Sequence, residues 1–422
     1  MKARICVITA GHLATCPRML KAADALAEAG YAVRVVSTRH VAWATAADAQ
    51  LRARRSWDWT VVRYDRASDP ATFLRTGLRF RAAQLLAQGL GARRCPMPLT
   101  VRAYSRVHPE LVRAALAAPA DLFYGGTTGA LAAVAAAGRR ARVPYALDLE
   151  DFHSAEQDDS PAARRAHVLA GCIERDVLRD AAFLTAGSAA IAAAYAAEYG
   201  VHPVPIHNTF PLPATAPELT TREAGRLRLY WFSQTIGARR GLEDAVQAMG
   251  CAGIPGELHL RGRAIPDYLQ DLQSLAARVA PDLKIVHHAP CAPDEMVDCC
   301  RGHDVGLAVE PGFSHNNRLA LSNKAFTYML AGLAVAVTNT PGQRPLALEL
   351  GEGACLYEPG DIAALSQGLR RWATDRNLLV RAKIASWEAA KRRWHWEHAE
   401  ERGALLSAVA KILGRSSSCA SY

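Results

Sequence analysis

Asn316-Asn317-Arg318-Leu319-Ala320-Leu321-Ser322-Asn323-Lys324-Ala325-Phe326-Thr327-Tyr328-Met329-Leu330-Ala331-Gly332 reads as a polar loop entering a short helix that stops at a glycine. A helix start offers free backbone N–H groups and the positive end of a dipole. Ser322 is placed to cap it. Lys324 puts a full positive charge in the first turn, where it opposes the dipole, so stability alone would not select it. An anion held at the helix start would justify it. The apolar run Leu333-Ala334-Val335-Ala336-Val337 follows and reads as a buried parallel strand. Loop, anion-binding helix start and buried strand together point to a phosphate-bearing ligand at the edge of an α/β sheet.

Working outward, strand-like and helix-like segments alternate along the 422 residues. Strands are expected over 5–10, 32–37, 59–64, 121–124, 145–149, 183–186 and 204–207, with helices such as 17–29, 162–179 and 189–199 between them. This is the signature of βαβ units on a parallel sheet. Residues 208–226 break the pattern with Pro211, Pro213 and Pro217, and read as a linker. A second series follows at 227–232, 257–260, 283–287, 304–309, 334–337 and 355–357. The expected fold is α/β: two tandem doubly wound, Rossmann-like domains facing across a cleft, over 1–207 and 227–383. Ligands of such sheets sit at the carboxyl ends of the strands. Residues 384–413, with Trp387, Trp394 and Trp396, read as a helical segment packed across the domain junction, and 414–422 as a disordered tail.

Half of the residues are apolar, yet no apolar run reaches the roughly 20 residues of a membrane-spanning helix. The first residues lead straight into a strand and a periodic helix, unlike a signal peptide. Ten scattered cysteines fit free thiols in a reducing cytoplasm. The net charge of +10 suits an anionic partner without naming it.

The chain resembles the GT-B glycosyltransferases, especially the nucleotide-sugar-dependent, retaining group classed as family 4. Several pieces carry the resemblance: Gly11-His12 and Pro17-Arg18-Met19-Leu20-Lys21 after the first strand, Asp148-Leu149-Glu150-Asp151-Phe152-His153, Ser233 to Glu243, and the helix Asn323 to Gly332. It implies an acceptor-binding N-terminal domain and a C-terminal domain holding a nucleotide-diphosphate sugar, with no metal and no cofactor. It also implies transfer with retention by a hexosyltransferase-like enzyme of envelope or extracellular glycan synthesis. The sequence departs from the family pattern at named places. The paired glutamates are replaced by Leu319 and Thr327, the first-loop arginine by Gln234, its lysine by Arg240, and the N-terminal histidine by Glu150. A sugar-nucleotide 2-epimerase of the same fold and a non-catalytic nucleotide-binding relative are the competing readings.

On these motifs the donor diphosphate and sugar are assigned to Gln234, Arg239, Arg240, Arg261, Glu310, Asn317, Ser322, Asn323 and Lys324. Either arginine of the Arg239-Arg240 pair suits bidentate phosphate binding. Glu310, at a strand's carboxyl end, suits sugar or ribose hydroxyls, with an ion pair to Arg318 as the competing reading. Gly11, Asp148 and His153 are assigned to the acceptor, and Glu150, Asp151 and His12 to proton transfer, since crowded carboxylates have raised pKa values. The acceptor is expected to be a glycan or a lipid-linked molecule. Segment 71–113 holds Arg75, Arg79, Arg81, Arg93, Arg94, Arg102, Arg106 and Arg113 against one acid, Glu110, and Leu74, Leu78, Leu85 and Leu86 give it an apolar face. That composition suits an anionic membrane surface, with a solvated insertion as the competing reading. No nucleic-acid recognition module accompanies it, so nucleic acid is not an expected partner. The expected location is the cytoplasm, peripheral on the inner membrane face.

Overall fold

The computed structural model describes residues 2–158, 160–220 and 226–414. The chain divides into two compact units. The first runs to Ile206 and is rejoined by the chain from Ala399; the second spans His207–His398.

The first unit is a seven-stranded sheet in the order β3-β2-β1-β4-β5-β6-β7. Its strands are β1 (Arg4–Thr9), β2 (Ala32–Arg39), β3 (Asp58–Arg63), β4 (Leu122–Gly126), β5 (Tyr145–Leu149), β6 (Phe183–Ala186) and β7 (Val204–Pro205). The second unit has six strands in the order β10-β9-β8-β11-β12-β13. These are β8 (Leu227–Ile236), β9 (Gly256–Ala264), β10 (Leu283–His288), β11 (Val305–Ala308), β12 (Ala334–Thr338) and β13 (Ala354–Tyr357). Every strand pairing in both sheets is parallel. Helices cover both faces, which is why the central strands are near-continuous apolar runs. Strand order reverses between β1 and β4 and between β8 and β11, leaving a crevice at the strands' carboxyl ends in each unit.

Alternation along β8 divides the second unit's core. Leu229 and Trp231 enter one layer, and Tyr230 and Phe232 the other. The helix Asn323–Leu330 belongs to the second layer, and from Lys324 onward each of its residues is buried. It lies flush on β11 because Gly306 has no side chain; a Cβ there would stand 2.1 Å from the Tyr328 ring. Phe326 stacks on Trp394 at 5.2 Å. Truncating a buried aromatic of this kind costs roughly 3–5 kcal/mol.

Several expected boundaries are corrected. β8 and β9 run past Phe232 and Leu260, because Thr235 and Ile236 keep pairing with Arg263 and Ala264 beyond an irregularity after Phe232. The expected linker is tied to the second unit: Phe210 joins its core, Arg301 Nη2 donates to the Thr215 carbonyl (2.7 Å) and Lys383 Nζ to that of Thr220 (2.9 Å). The break expected at residue 384 falls inside the helix Arg376–Arg392, which Asp375 caps at Leu378 N and no proline or glycine interrupts. A separate helix, Ala404–Ile412, belongs to the first unit, where Arg402 pairs with Glu28 at 2.8 Å. The tail expected to be disordered lies, beyond Gly414, outside the described residues.

Candidate active site

In the second unit, the loops after β8 and β11 converge on the switch point. The β8 loop carries Arg239 and Arg240, both exposed, with Arg239 in the left-handed region at φ 63°. Gly241 then opens the helix Leu242–Ala252 at φ 74°, and a Cβ on it would stand 2.1 Å from the Val309 carbonyl oxygen. This approach needs glycine. It brings the arginine loop beside Val309-Glu310 at the end of β11.

Glu310 organises the helix start. Lys324 Nζ donates to its Oε1 at 2.6 Å and Ser322 Oγ to the same oxygen at 2.7 Å. Ser322 therefore does not cap the helix with its side chain, as expected, but with its carbonyl alone, at 3.1 Å from Ala325 N. Burial opposes the charge on Glu310, but the Lys324 ammonium and the two hydrogen bonds hold its carboxyl below the usual range. Its partner is thus Lys324, not Arg318. Among the described residues, Oε2 of Glu310 is buried with no hydrogen-bond partner. An acceptor left this way calls for a donor.

Other assigned donor residues have internal roles. Asn317 Oδ1 accepts from Gly312 N at 2.7 Å, and its N–H goes to Ser314 Oγ at 3.0 Å, so the amide carbonyl shapes the loop. The Asn323 carbonyl accepts from Thr327 Oγ1 at 3.3 Å, so the hydroxyl at the glutamate position turns back onto its own helix. Arg261 is held in place: its Nε donates to the Tyr230 hydroxyl at 2.7 Å and its Nη1 to the Ala289 carbonyl at 2.8 Å, which orients it from the sheet and the following loop. Gln234 is exposed near the end of β8, within the strand rather than in the loop.

In the first unit, β5 ends in the acidic cluster. Asp148 is buried and clamped by Arg18, with Nε at 2.8 Å from Oδ2 and Nη2 at 2.5 Å from Oδ1. Thr185 Oγ1 adds a bond of 2.5 Å, and Arg18 Nη1 reaches the Ile206 carbonyl. The acceptor role expected of Asp148 is corrected, because both of its oxygens are taken by this clamp. Removing one partner of such a buried pair costs about 3–5 kcal/mol. At Gly11 a Cβ would stand 2.9 Å from Cys16 Sγ, so the loop after β1 packs closely on its own side chains. His12 also departs from its expected proton-transfer role. Its Nδ1 faces Asp48 Oδ2 at 2.7 Å, and its Nε2 accepts from His40 N (3.1 Å) and Val41 N (3.0 Å). Both ring nitrogens are occupied, and the ring pins two loops together.

What remains is Glu150, Asp151 and His153. Burial pushes the Glu150 carboxyl up to about 7, helped by the charges of Asp151 and Asp148 and opposed by Arg18 and His153. A pKa there suits proton transfer near neutrality. The Asp151 carbonyl accepts from the Tyr195 hydroxyl at 3.0 Å. Burial opposes protonation of His153, yet the hydrogen bond and charge of Glu156, with Asp151 and Glu174, carry it up to about 9. Sequence reading missed Arg18 and Lys21. Burial and the Arg18 charge push the Lys21 amine down to about 7, against Glu401, Glu150 and Asp148. The signal was available in Arg18, a cation in a helix's first turn, as at Lys324. Among the described residues no cluster of His, Cys, Asp or Glu could hold a metal ion.

No protein-family model and no curated protein matches the chain. Solved structures do. HepE from Anabaena, in complex with UDP, is 17% identical with a TM-score of 0.60, covering 98% of this chain and 100% of that one. Sucrose-phosphate synthase from Thermosynechococcus elongatus is 14% identical at 0.64, covering 98% and 100%. TarM is 7% identical at 0.65, covering 98% and 99%. The chain has the GT-B fold. Within the GT-B fold the Arg239-Arg240 loop and the Glu310–Lys324 pair belong to the second unit, and the Glu150 cluster to the first.

Proposed function

We propose that the chain is a glycosyltransferase that moves a sugar from a nucleotide-diphosphate donor to an acceptor hydroxyl. The second unit takes the donor and the first the acceptor. The observation carrying this is the convergence of the Arg239-Arg240 loop with Glu310, Ser322 and Lys324 at the ends of β8 and β11. Exposed guanidinium groups and a helix start supply positive charge for a diphosphate, and the unpartnered Oε2 of Glu310 suits a sugar hydroxyl. HepE has been solved with UDP and with UDP and glucose, and that fold-level likeness supports the same donor class here.

In this reading the acceptor oxygen bonds to the anomeric carbon as the bond to the diphosphate breaks, its electron pair leaving with the phosphate oxygen. Glu150 takes the acceptor's proton. Charge developing on the leaving group is met by Arg240 and Lys324. The sequence resemblance supports retention and a role in envelope or extracellular glycan synthesis. Contact with an anionic membrane on the cytoplasmic side is supported by the helix Pro70–Leu90. It has no acidic residue, and Leu74, Leu78, Leu85, Leu86 and Leu90 are each more than half exposed on it. No helix among the described residues is long and apolar enough to cross a membrane.

A thermal-shift series with nucleoside diphosphates tests the donor reading, since a ligand of the folded state raises the melting temperature by mass action. UDP is expected to raise it, and the rise should shrink in Arg240→Ala. No shift with any nucleoside diphosphate would remove the donor site.

A further inference from the structure

Four consecutive residues after β5 are gripped from one helix. Tyr195 and Tyr199 are four apart on the helix Ala189–Tyr199, so they share a face. The Tyr195 hydroxyl donates to the Asp151 carbonyl at 3.0 Å and accepts from His153 N at 3.3 Å, and its ring meets that of Phe152 edge-on at 4.9 Å. Tyr199 holds the fourth residue, its hydroxyl 3.3 Å from Ser154 Oγ. Glu150, just before them, lies against Gly187, where a Cβ would stand 2.2 Å from the Glu150 carbonyl oxygen. Residues 187–199 thus form a template for residues 150–154.

The template is itself locked. Glu174 is buried on the helix Pro161–Val177. Its Oε1 accepts from the Tyr195 hydroxyl at 2.7 Å and its Oε2 from the Tyr199 hydroxyl at 2.6 Å. A carboxylate taken out of water is costly unless its hydrogen bonds are made, and here both oxygens are used. Packing alone would be met by phenylalanine at 195 and 199 and an apolar residue at 174. The polar atoms instead tie two helices to the backbone of the segment that carries Glu150.

Charge links the same groups. Glu150 is faced by Arg18 and Lys21 of the helix Pro17–Glu28, by Cys16 before it and by Tyr124 of β4. Asp148, Asp151 and His153 face it from its own segment, and His153 is faced in turn by Glu156, Asp151 and Glu174. Glu174 therefore reaches Glu150 twice, through the backbone that Tyr195 holds and through the imidazolium that its charge favours.

We propose that Glu174, Tyr195 and Tyr199 are positioning residues for Glu150, fixing residues 150–154 in the arrangement that presents the carboxyl for proton transfer. This role rests on Glu150 being the group that takes the acceptor's proton. Tyr195, which holds three of the residues, is the hub, and Tyr199 is subordinate to it.

Two titrations of the full chain test the clamp without any need for turnover. The first follows the His153 ring by NMR with labelled histidine, the signal being assigned by its loss in His153→Asn. Its midpoint should lie at about 9 in the wild type and at lower pH in Glu174→Gln, which keeps the size and removes the charge. The second is the melting temperature of a protein minus that of its Glu150→Gln derivative. In the wild type this difference falls between pH 4.5 and about 7. With Tyr195→Phe, which keeps the ring, the fall should move toward 4.5, because the loosened segment lets water reach the carboxyl. Tyr199→Phe should move it less. A role confined to packing lowers the melting temperature equally at every pH and leaves both titrations in place; that result overturns the proposal. So does a larger shift from Tyr199→Phe than from Tyr195→Phe. Calorimetry with UDP separates the donor reading: failure of the wild type to bind UDP removes that reading and moves neither titration. Undiminished sugar transfer by Glu150→Gln would remove the proton-transfer role of Glu150, and with it the purpose assigned to the clamp.

Discussion

Glu150 and Lys324 are both charged groups held out of water, and each has a measurable signature. The Glu150 carboxyl moves from 4.5 to about 7 on folding. A raised carboxyl binds its proton more tightly when folded, so its contribution to stability is full below pH 4.5 and is lost as pH rises through about 7. The melting temperature of the wild type minus that of Glu150→Gln should therefore fall across this window; a flat difference would mean that Glu150 titrates normally. Donor binding should be unaffected by the substitution while transfer drops. Lys324 is tied to Glu310 at 2.6 Å, so Lys324→Ala strands a buried carboxylate and should destabilise by about 3–5 kcal/mol. Adding Glu310→Gln should restore most of that stability, as chemical denaturation would show. If Lys324 also meets the diphosphate, the double variant stays deficient in nucleotide binding; recovered affinity would release Lys324 from the site. These partners were the least legible part of the sequence. Glu310 lies 14 residues from Lys324, and Asp148 lies 130 from Arg18. Only the register of separate strands brings such groups together, and no local pattern encodes it.

Elements were legible where one physical rule dominated. Buried parallel strands show as apolar runs, and the Asn323–Leu330 helix shows by its polar entry and terminal Gly332. The ends of β8 and β9 were not legible, because pairing resumes at polar Thr235, past an irregularity at Ser233 and Gln234, after the apolar signal stops. The Pro70–Leu90 helix is the inverse of an ordinary surface helix: it buries Thr76, Ala83 and Ala87 and exposes its leucines. Two of the arginines expected to face a membrane point inward instead. Arg79 binds Glu110 at 2.6 and 2.9 Å, and Arg106 binds Thr76 Oγ1 at 3.1 Å. The useful charge reversals are thus Arg81, Arg93 and Arg94, all exposed. Co-sedimentation with anionic vesicles should fall with salt and with these three substitutions, each basic group contributing about 1 kcal/mol. Leu78→Ser with Leu85→Ser should weaken it as well without lowering the melting temperature. Equal sedimentation with neutral vesicles would refute the electrostatic part.

Across the whole molecule, the two-unit α/β plan follows from the alternation of strands and helices broken by prolines. The destination of the last helix does not, since Leu405, Leu406, Val409 and Ile412 fit any apolar surface. Leu405 and Val409 are buried in the first unit, together with Glu401. A chain ending at His398 should therefore show a lowered calorimetric transition for the first unit and an unchanged one for the second; equal shifts in both would contradict this division. The same connectivity orders events during synthesis. The first unit emerges first from the ribosome yet lacks its closing helix until the entire second unit has been translated. The second unit, contiguous in the chain, is complete earlier. Its folding precedes the first unit's closure, so the nascent first unit waits with the outer side of its Pro17–Glu28 helix uncovered, open to chaperones during that interval.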